Sequence, residues 1–400
     1  ILVVAKIGGE IFVRYLRLPA VIGELVGGVI IGPFALGDLI PVYNLGQLFE
    51  KPSEAVAIPV SSELFAFAQV AAIVLLFVVG LETNLKLFIK YISPASLVAV
   101  GGVVVPFFLG VYATILFDFA DGFSDPKALF VGAAMTATSV GITARVLSER
   151  KKLDVPEGVT ILAAAVLDDV LAILVLTVVV GVAETGEVSI IDVLDVGWKA
   201  LAFLAVLLGG GIFLAKHISR LVLSLKVSGA SVAIALALAF LAAGLAESFG
   251  LAMIIGAYAM GLSLSNTELA KTLEAPISAV YNALVPIFFV VLGMMVDLTA
   301  FSDAIVFGIV LSILAIFGKV LGSGLPAMAV GFNKIGAVRI GFGMLPRGEV
   351  ALIIAQVGLA AGVIGRDIFG VVILMTIVTT LLAPIILVPA FERGGLGTRS

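Results

Sequence analysis

The run Ala163-Ala164-Ala165-Val166-Leu167-Asp168-Asp169-Val170-Leu171-Ala172-Ile173 sets two carboxylates inside an apolar stretch that extends over 157–183. As a helix rising ~1.5 Å per residue, that stretch is long enough to cross a hydrocarbon layer of about 30 Å. The two aspartates then lie about 17 Å from its start, close to the middle of the layer. An ionised side chain at that depth costs about 2.5–3.5 kcal/mol on insertion scales, so its persistence marks a functional position. Adjacent helical residues point about 100° apart. The two carboxylates therefore share a neighbourhood while facing different partners. A carboxylate so placed can hold a proton or a cation, and competition between the two is the simplest chemistry of exchange.

Similar apolar runs fill the rest of the chain. About thirteen are expected: near 1–16, 20–36, 62–81, 93–117, 127–147, 157–183, 193–217, 229–247, 250–264, 278–296, 303–329, 335–362 and 368–390. Of the 400 residues, 62% are hydrophobic and 12% charged, with a mean hydropathy of +1.27. Soluble domains average about 45–50% apolar and about 25% charged residues, so this composition excludes a soluble globular enzyme. The fold class is an all-α polytopic membrane protein embedded in a lipid bilayer. A net charge of -4 gives no basic bias toward nucleic acid. The absence of cysteine removes disulfides and thiol-based metal or redox chemistry. The 44 glycines suit closely packed membrane helices. The chain opens on Ile1, so its natural start is expected upstream.

Lys and Arg set the orientation. With the start of the first segment outside, only Lys51, Lys127, Lys199 and Arg366 fall on the outer side. Lys6, Lys319 and Arg347 lie within segments, and all the others, Arg145, Arg339 and Arg393 among them, fall inside. This asymmetry predicts an outside N-terminus and a cytoplasmic C-terminus. The longest loop, about 37–61, is too short for a soluble domain.

Three further segments carry polar groups at depth. Lys319 lies about 24 Å along the eleventh run. A buried lysine needs a carboxylate, and Asp168 is the natural candidate. The twelfth run contains Leu345-Pro346-Arg347-Gly348-Glu349. Pro and Gly together should break the helix, leaving Arg347 and Glu349 to satisfy freed backbone groups or to pair with each other. The fifth run contains Thr136-Ala137-Thr138-Ser139, whose hydroxyls can stabilise an unwound turn. Unwound carbonyls and hydroxyls are hard oxygen donors suited to an alkali cation. The fifth and twelfth runs are seven apart and therefore antiparallel across the membrane. Two oppositely directed broken helices suggest an inverted repeat with its site at the midplane.

The remaining features suggest structural roles. Lys6 and Glu10 are expected to pair, and Glu24 and Glu82 to sit at interfaces. Trp198 beside Lys199 suggests an outer anchor, and His217 an ordinary surface residue. Pro106, Pro286 and Pro326 suggest kinks, and the glycines at 209–211 close helix packing.

Several of these stretches together resemble the second family of monovalent cation:proton antiporters. They are Leu-Pro-Ala-Val-Ile-Gly-Glu-Leu-Val-Gly-Gly-Val-Ile-Ile-Gly-Pro at 18–33, Phe-Val-Val-Gly-Leu-Glu-Thr-Asn-Leu at 77–85, Thr-Ala-Thr-Ser at 136–139, Leu-Asp-Asp-Val at 167–170, Gly-Lys-Val-Leu-Gly at 318–322 and Pro-Arg-Gly-Glu-Val at 346–350. The Asp-Asp pair is similar to NapA-type sodium/proton antiporters, whereas Kef-type potassium systems usually have Gln-Asp there. The resemblance implies a NhaA/NapA-like fold with two crossed discontinuous helices. It implies that Asp169 is the principal site for Na+ and H+, with Asp168 as its partner, engaging Lys319 when the site is empty. Thr138 and Ser139 would flank the site, and Arg347 and Glu349 would support the helix crossing. It also implies a homodimer, with dimerisation parts at 1–92 and 229–300, core parts at 93–190 and 301–400, and a linker helix at 191–228. A prokaryotic inner membrane is the expected location.

The resulting expectation is an electrogenic sodium/proton antiporter, with lithium as a plausible second substrate and no cofactor. The runner-up is Kef-like potassium/proton exchange, because carboxylate and hydroxyl oxygens suit both ions. A channel would need a pore-lining filter repeat, which the sequence lacks. An intramembrane aspartyl protease would place its two carboxylates on different helices. A sodium-coupled organic-solute symporter would leave Lys319 without a role.

Overall fold

The computed structural model describes residues 1–42, 46–51, 59–187, 189–297 and 304–399. Fifteen α-helices make up almost all of it: α1 (Leu2–Ile11), α2 (Ala20–Ile31), α3 (Ser62–Glu82), α4 (Leu85–Leu116), α5 (Pro126–Thr136), α6 (Val140–Glu149), α7 (Pro156–Thr185), α8 (Ile190–Leu223), α9 (Ala230–Ser248), α10 (Met253–Leu264), α11 (Glu268–Met294), α12 (Ile305–Ala329), α13 (Lys334–Gly343), α14 (Glu349–Ala360) and α15 (Arg366–Glu392). A two-residue antiparallel ladder pairs Pro41–Val42 with Gly46–Gln47 in the α2–α3 loop. Ten spans among the described residues are long and apolar enough to cross a membrane, α5 and α6 together forming one of them. The other expected segments are shorter helices or an interrupted pair. Length and hydropathy thus give ten candidate spans, and the count of thirteen stays an expectation.

Local chemistry explains where the helices begin. Asn84 Oδ1 accepts from the N–H groups of Lys86 and Leu87 at 3.0 and 3.1 Å, a side-chain cap that starts α4. The helix therefore begins eight residues before the apolar run, and the expected boundary at 92/93 falls inside it. The charged Lys86 and Lys90 lie on its exposed face. α11 likewise begins ten residues before its run, at Glu268, where the Thr267 hydroxyl accepts from Ala270 N–H. Asp125 caps α5, and Pro126 occupies the first turn, where its missing N–H costs nothing.

The helices pack in two sets. α4, α5, α7, α12, α13, α14 and α15 pack on one another, and α1, α2, α3, α9, α10 and α11 do the same. α6 touches helices of both sets, and α8 lies along α7, α9 and α10. Much of α8 is exposed, including Trp198, Val206 and Phe213, as suits a helix bathed in lipid. The expected boundary at 300/301 lies outside the described residues. α4 and α12 approach closely at Gly101 and Gly322. A Cβ on Gly101 would lie 2.1 Å from the Gly322 carbonyl oxygen, and a Cβ on Gly322 would lie 2.5 Å from that of Gly101. This contact brings Lys319 of α12 against the backbone of α4.

Three local expectations need correction. Lys6 donates to the Asn282 carbonyl at 2.9 Å and does not pair with Glu10. Glu24 is buried within α2, 3.9 Å from Arg145 Nη2, whereas Glu82 ends α3 and accepts from Ser148 Oγ at 2.7 Å. Arg145 and Arg339, counted on the inner side, are buried. Arg339 meets Glu157 at 2.6 Å and donates to the carbonyls of Ala390, Gly394 and Gly395. Of the glycines at 209–211, only Gly211 lies against another helix, at Ser263 of α10. His217 is exposed on α8.

Candidate ion-exchange site

Two interrupted helices cross at the centre of the first set. Helical hydrogen bonding stops at Thr136 and resumes at Val140, and it stops at Gly343 and resumes at Glu349. Each break frees backbone groups that must find partners in the absence of water. They find them largely in each other. Ser139 N–H donates to the Pro346 carbonyl at 2.7 Å. The hydroxyls of Thr138 and Thr143 donate to the carbonyls of Met344 at 3.4 Å and Gly343 at 2.6 Å. Arg347 Nη1 donates to the Ala137 carbonyl at 2.7 Å, and Arg347 is fully buried. Thr380 of α15 donates to the Arg347 carbonyl. Glu349 opens α14, and its side chain lies outside the described residues, so a pairing with Arg347 does not enter the description.

Beside this crossing, Lys319 Nζ lies 2.9 Å from Asp168 Oδ1. It also donates to the Gly102 carbonyl at 2.8 Å and the Thr136 carbonyl at 2.6 Å. Asp168 and Lys319 have no exposed surface. All three ammonium protons are thus satisfied by α4, α7 and the broken end of α5. The break matters here, because Thr136 offers its carbonyl to Lys319 only where the helix has stopped using it. Asp168 Oδ2 and Ser139 Oγ are buried without a hydrogen-bond partner among the described residues. They are hard oxygen atoms, and the Thr138 hydroxyl stands beside the Asp168 carboxyl.

Asp169 is 3% exposed and lines an open cavity of about 260 Å³. Gln69 of α3, Glu247 at the end of α9, Gly250 of the α9–α10 turn, and Ile353 of α14 also line it. The two carboxylates therefore face different surroundings, as expected of helical neighbours. Asp168 is tied to a lysine, and Asp169 borders the cavity.

Gln69, Glu247, Gly102 and Thr380 were not singled out in the sequence. Thr380 had a local signal, a hydroxyl beside Thr379 inside a long apolar run. Gln69 was likewise a polar residue within an apolar run. Gly102 acts through its backbone, which carries no residue-type signal.

The family model described as sodium/hydrogen exchanger, transmembrane, matches residues 1–393. The chain belongs to the sodium/hydrogen exchanger family. It is 37% identical to the high-affinity Na(+)/H(+) antiporter NhaS3 of Synechocystis sp., over 97% of this chain and 87% of that protein. It is 33% identical to the Na(+)/H(+)-K(+) antiporter GerN of Bacillus cereus, over 96% of this chain and 92% of the relative. Its fold matches that of the sodium proton antiporter MjNhaP1 from Methanocaldococcus jannaschii with a TM-score of 0.70 and 20% identity, over 99% of this chain and 96% of that one. Within the exchanger family, an all-helical membrane fold therefore brings a buried carboxylate–lysine pair to the crossing of two broken helices.

Proposed function

We propose that the chain is a secondary transporter that exchanges Na+ for H+ at the Asp168–Asp169 pair. The observation that carries this proposal is the fully buried Lys319–Asp168 ion pair at the helix crossing, one residue from the cavity-lining Asp169. A cation entering along the cavity meets Asp169 first. When Asp168 joins as a ligand, its charge is shared with the cation, its hold on the Lys319 ammonium weakens, and Lys319 gives up a proton. The cation also takes the place of the proton on Asp169, which leaves to the water of the cavity. Two protons per Na+ follow, so exchange moves net charge. Ser139 Oγ and the Thr138 hydroxyl supply further oxygen ligands, a set that suits Na+ and, by the same chemistry, Li+.

Coupling follows from the cost of burying bare charge. With neither cation nor proton bound, the aspartates would have to cross the layer ionised. The movement is assigned to the set of α4–α7 and α12–α15, acting as a core against α1–α3 and α9–α11, with α8 as the linker. The second set would form the homodimer contact. Arg347 and Glu349 would hold the crossing intact as it moves. The Lys and Arg distribution supports an outside N-terminus and a cytoplasmic C-terminus, and the bacterial relatives support a place in the inner membrane. The relatives named above support sodium, and one of them also includes potassium.

The test uses proteoliposomes that are acidic inside and hold a trapped pH dye. Addition of Na+ should release protons, and Asp169→Asn should abolish the release. Release with K+ and not with Na+ would keep exchange and overturn the choice of ion. No release with either ion would overturn exchange.

A further inference from the structure

We propose that the groove between α13 and α15 is a binding site for an anionic phospholipid. The groove holds about 660 Å³ and lies away from the exchange site. Its walls are apolar, with Val338 and Ile385 exposed at 42% and 38%, and Phe342 and Pro389 continue the lining. Both cations that line it, Lys334 and Arg393, stand at one end, where Asn333 N–H donates to the Gly397 carbonyl and ties the start of α13 to the chain that follows α15. Lys334 is the first residue of α13, and Arg393 directly follows α15. They therefore mark a membrane boundary, and the apolar walls run from it for about 15 Å along the ten residues of α13. A groove with charge at the boundary and apolar walls below has the polarity of a phospholipid.

The sign of the charge selects the headgroup. No carboxylate lines the groove among the described residues. Of the acids nearby, Glu392 pairs with Arg150 at 2.7 Å, and Glu157 pairs with Arg339 at 2.6 Å. Lys334 and Arg393 form no salt bridge among the described residues and are exposed. Two uncompensated cations above an apolar slot fit a phosphodiester of net negative charge better than a zwitterion. Headgroup and chain thus define one lipid, with its phosphate at Lys334 and Arg393 and one acyl chain along Val338 and Phe342.

The test is native mass spectrometry of the full chain with added phosphatidylglycerol, phosphatidylcholine or sn-glycerol 3-phosphate. Phosphatidylglycerol should be retained in preference to phosphatidylcholine by about thirtyfold, as two cations near a membrane surface imply. Lys334→Gln with Arg393→Gln should reduce that preference to near unity. Val338→Trp, which fills the slot and leaves both charges, should displace the lipid. Equal retention of both lipids by the wild type would overturn the proposal. So would an unchanged preference in either variant, or competition by sn-glycerol 3-phosphate as strong as that by the lipid. The charge variant alters exposed side chains only. Lipid retention is read without transport, so the result is independent of the exchange proposal.

Discussion

At the scale of single residues, the central fact is a lysine ammonium and a carboxylate held together with no exposed surface. Removing one partner from such a pair leaves an uncompensated buried charge and is expected to cost about 3–5 kcal/mol. Lys319→Met should therefore lower thermal stability sharply, and Asp168→Asn should do so as well. The double variant Asp168→Asn with Lys319→Met should recover much of the loss, because neither charge is then stranded. Thermal unfolding of all four proteins in detergent tests this, and additive losses would show that the two side chains do not depend on each other. This contact was legible in the sequence because charge deep in an apolar run is rare and each sign needs the other. The Glu24–Arg145 contact was not. Both residues lie toward the ends of their segments, where charge ordinarily meets water, and only the packing of α2 against α6 buries them.

At the scale of elements, the breaks in the fifth and twelfth segments were legible for different reasons. Pro346 and Gly348 forecast theirs by removing a donor and a side chain. Thr136, Thr138 and Ser139 forecast the other by offering hydroxyls to an unwound turn. The mutual bonding of the two breaks was not legible, because it uses backbone atoms, which are alike at every residue. Gly348 shows how tightly the breaks fit. A Cβ there would lie 2.7 Å from Ser139 Oγ and 2.9 Å from Ser139 Cβ. Gly348→Ala is therefore expected to destabilise by about 1–3 kcal/mol through overpacking. Ser139→Gly, which removes both atoms, should restore most of the stability in the double variant. A loss that persists in the double variant, read by thermal unfolding, would place the strain elsewhere. The helix starts were less legible, since side-chain caps at Asn84 and Thr267 extend α4 and α11 into polar sequence that hydropathy does not register.

At the scale of the whole molecule, the two ends of the structure differ. The cavity at Asp169 also takes in Ala172, Ile173 and Leu176 of α7. It therefore runs about 20–30 Å beyond the start of α7 and away from the α6–α7 turn. At the turn itself, α6 is tied to the second set. Arg145 lies 3.9 Å from Glu24 of α2, with its guanidinium 5.0 Å from the Tyr281 ring of α11, and Ser148 donates to Glu82 of α3 at 2.7 Å. The Asp169 cavity thus lies toward one end and these contacts toward the other, and in the proposed exchange cycle passage to the opposite state would require these contacts to part. Loosening them should shift the population away from the state with an open Asp169 cavity. The chain contains no cysteine, so Gln69→Cys on the cavity wall gives a reporter without background. A membrane-impermeant maleimide should label it readily in the otherwise unchanged protein. Labelling should fall severalfold when Arg145→Ala is added together with Glu24→Gln, the second change sparing a stranded buried carboxylate. Equal labelling in the two backgrounds would mean that the Arg145 contacts do not hold the cavity open.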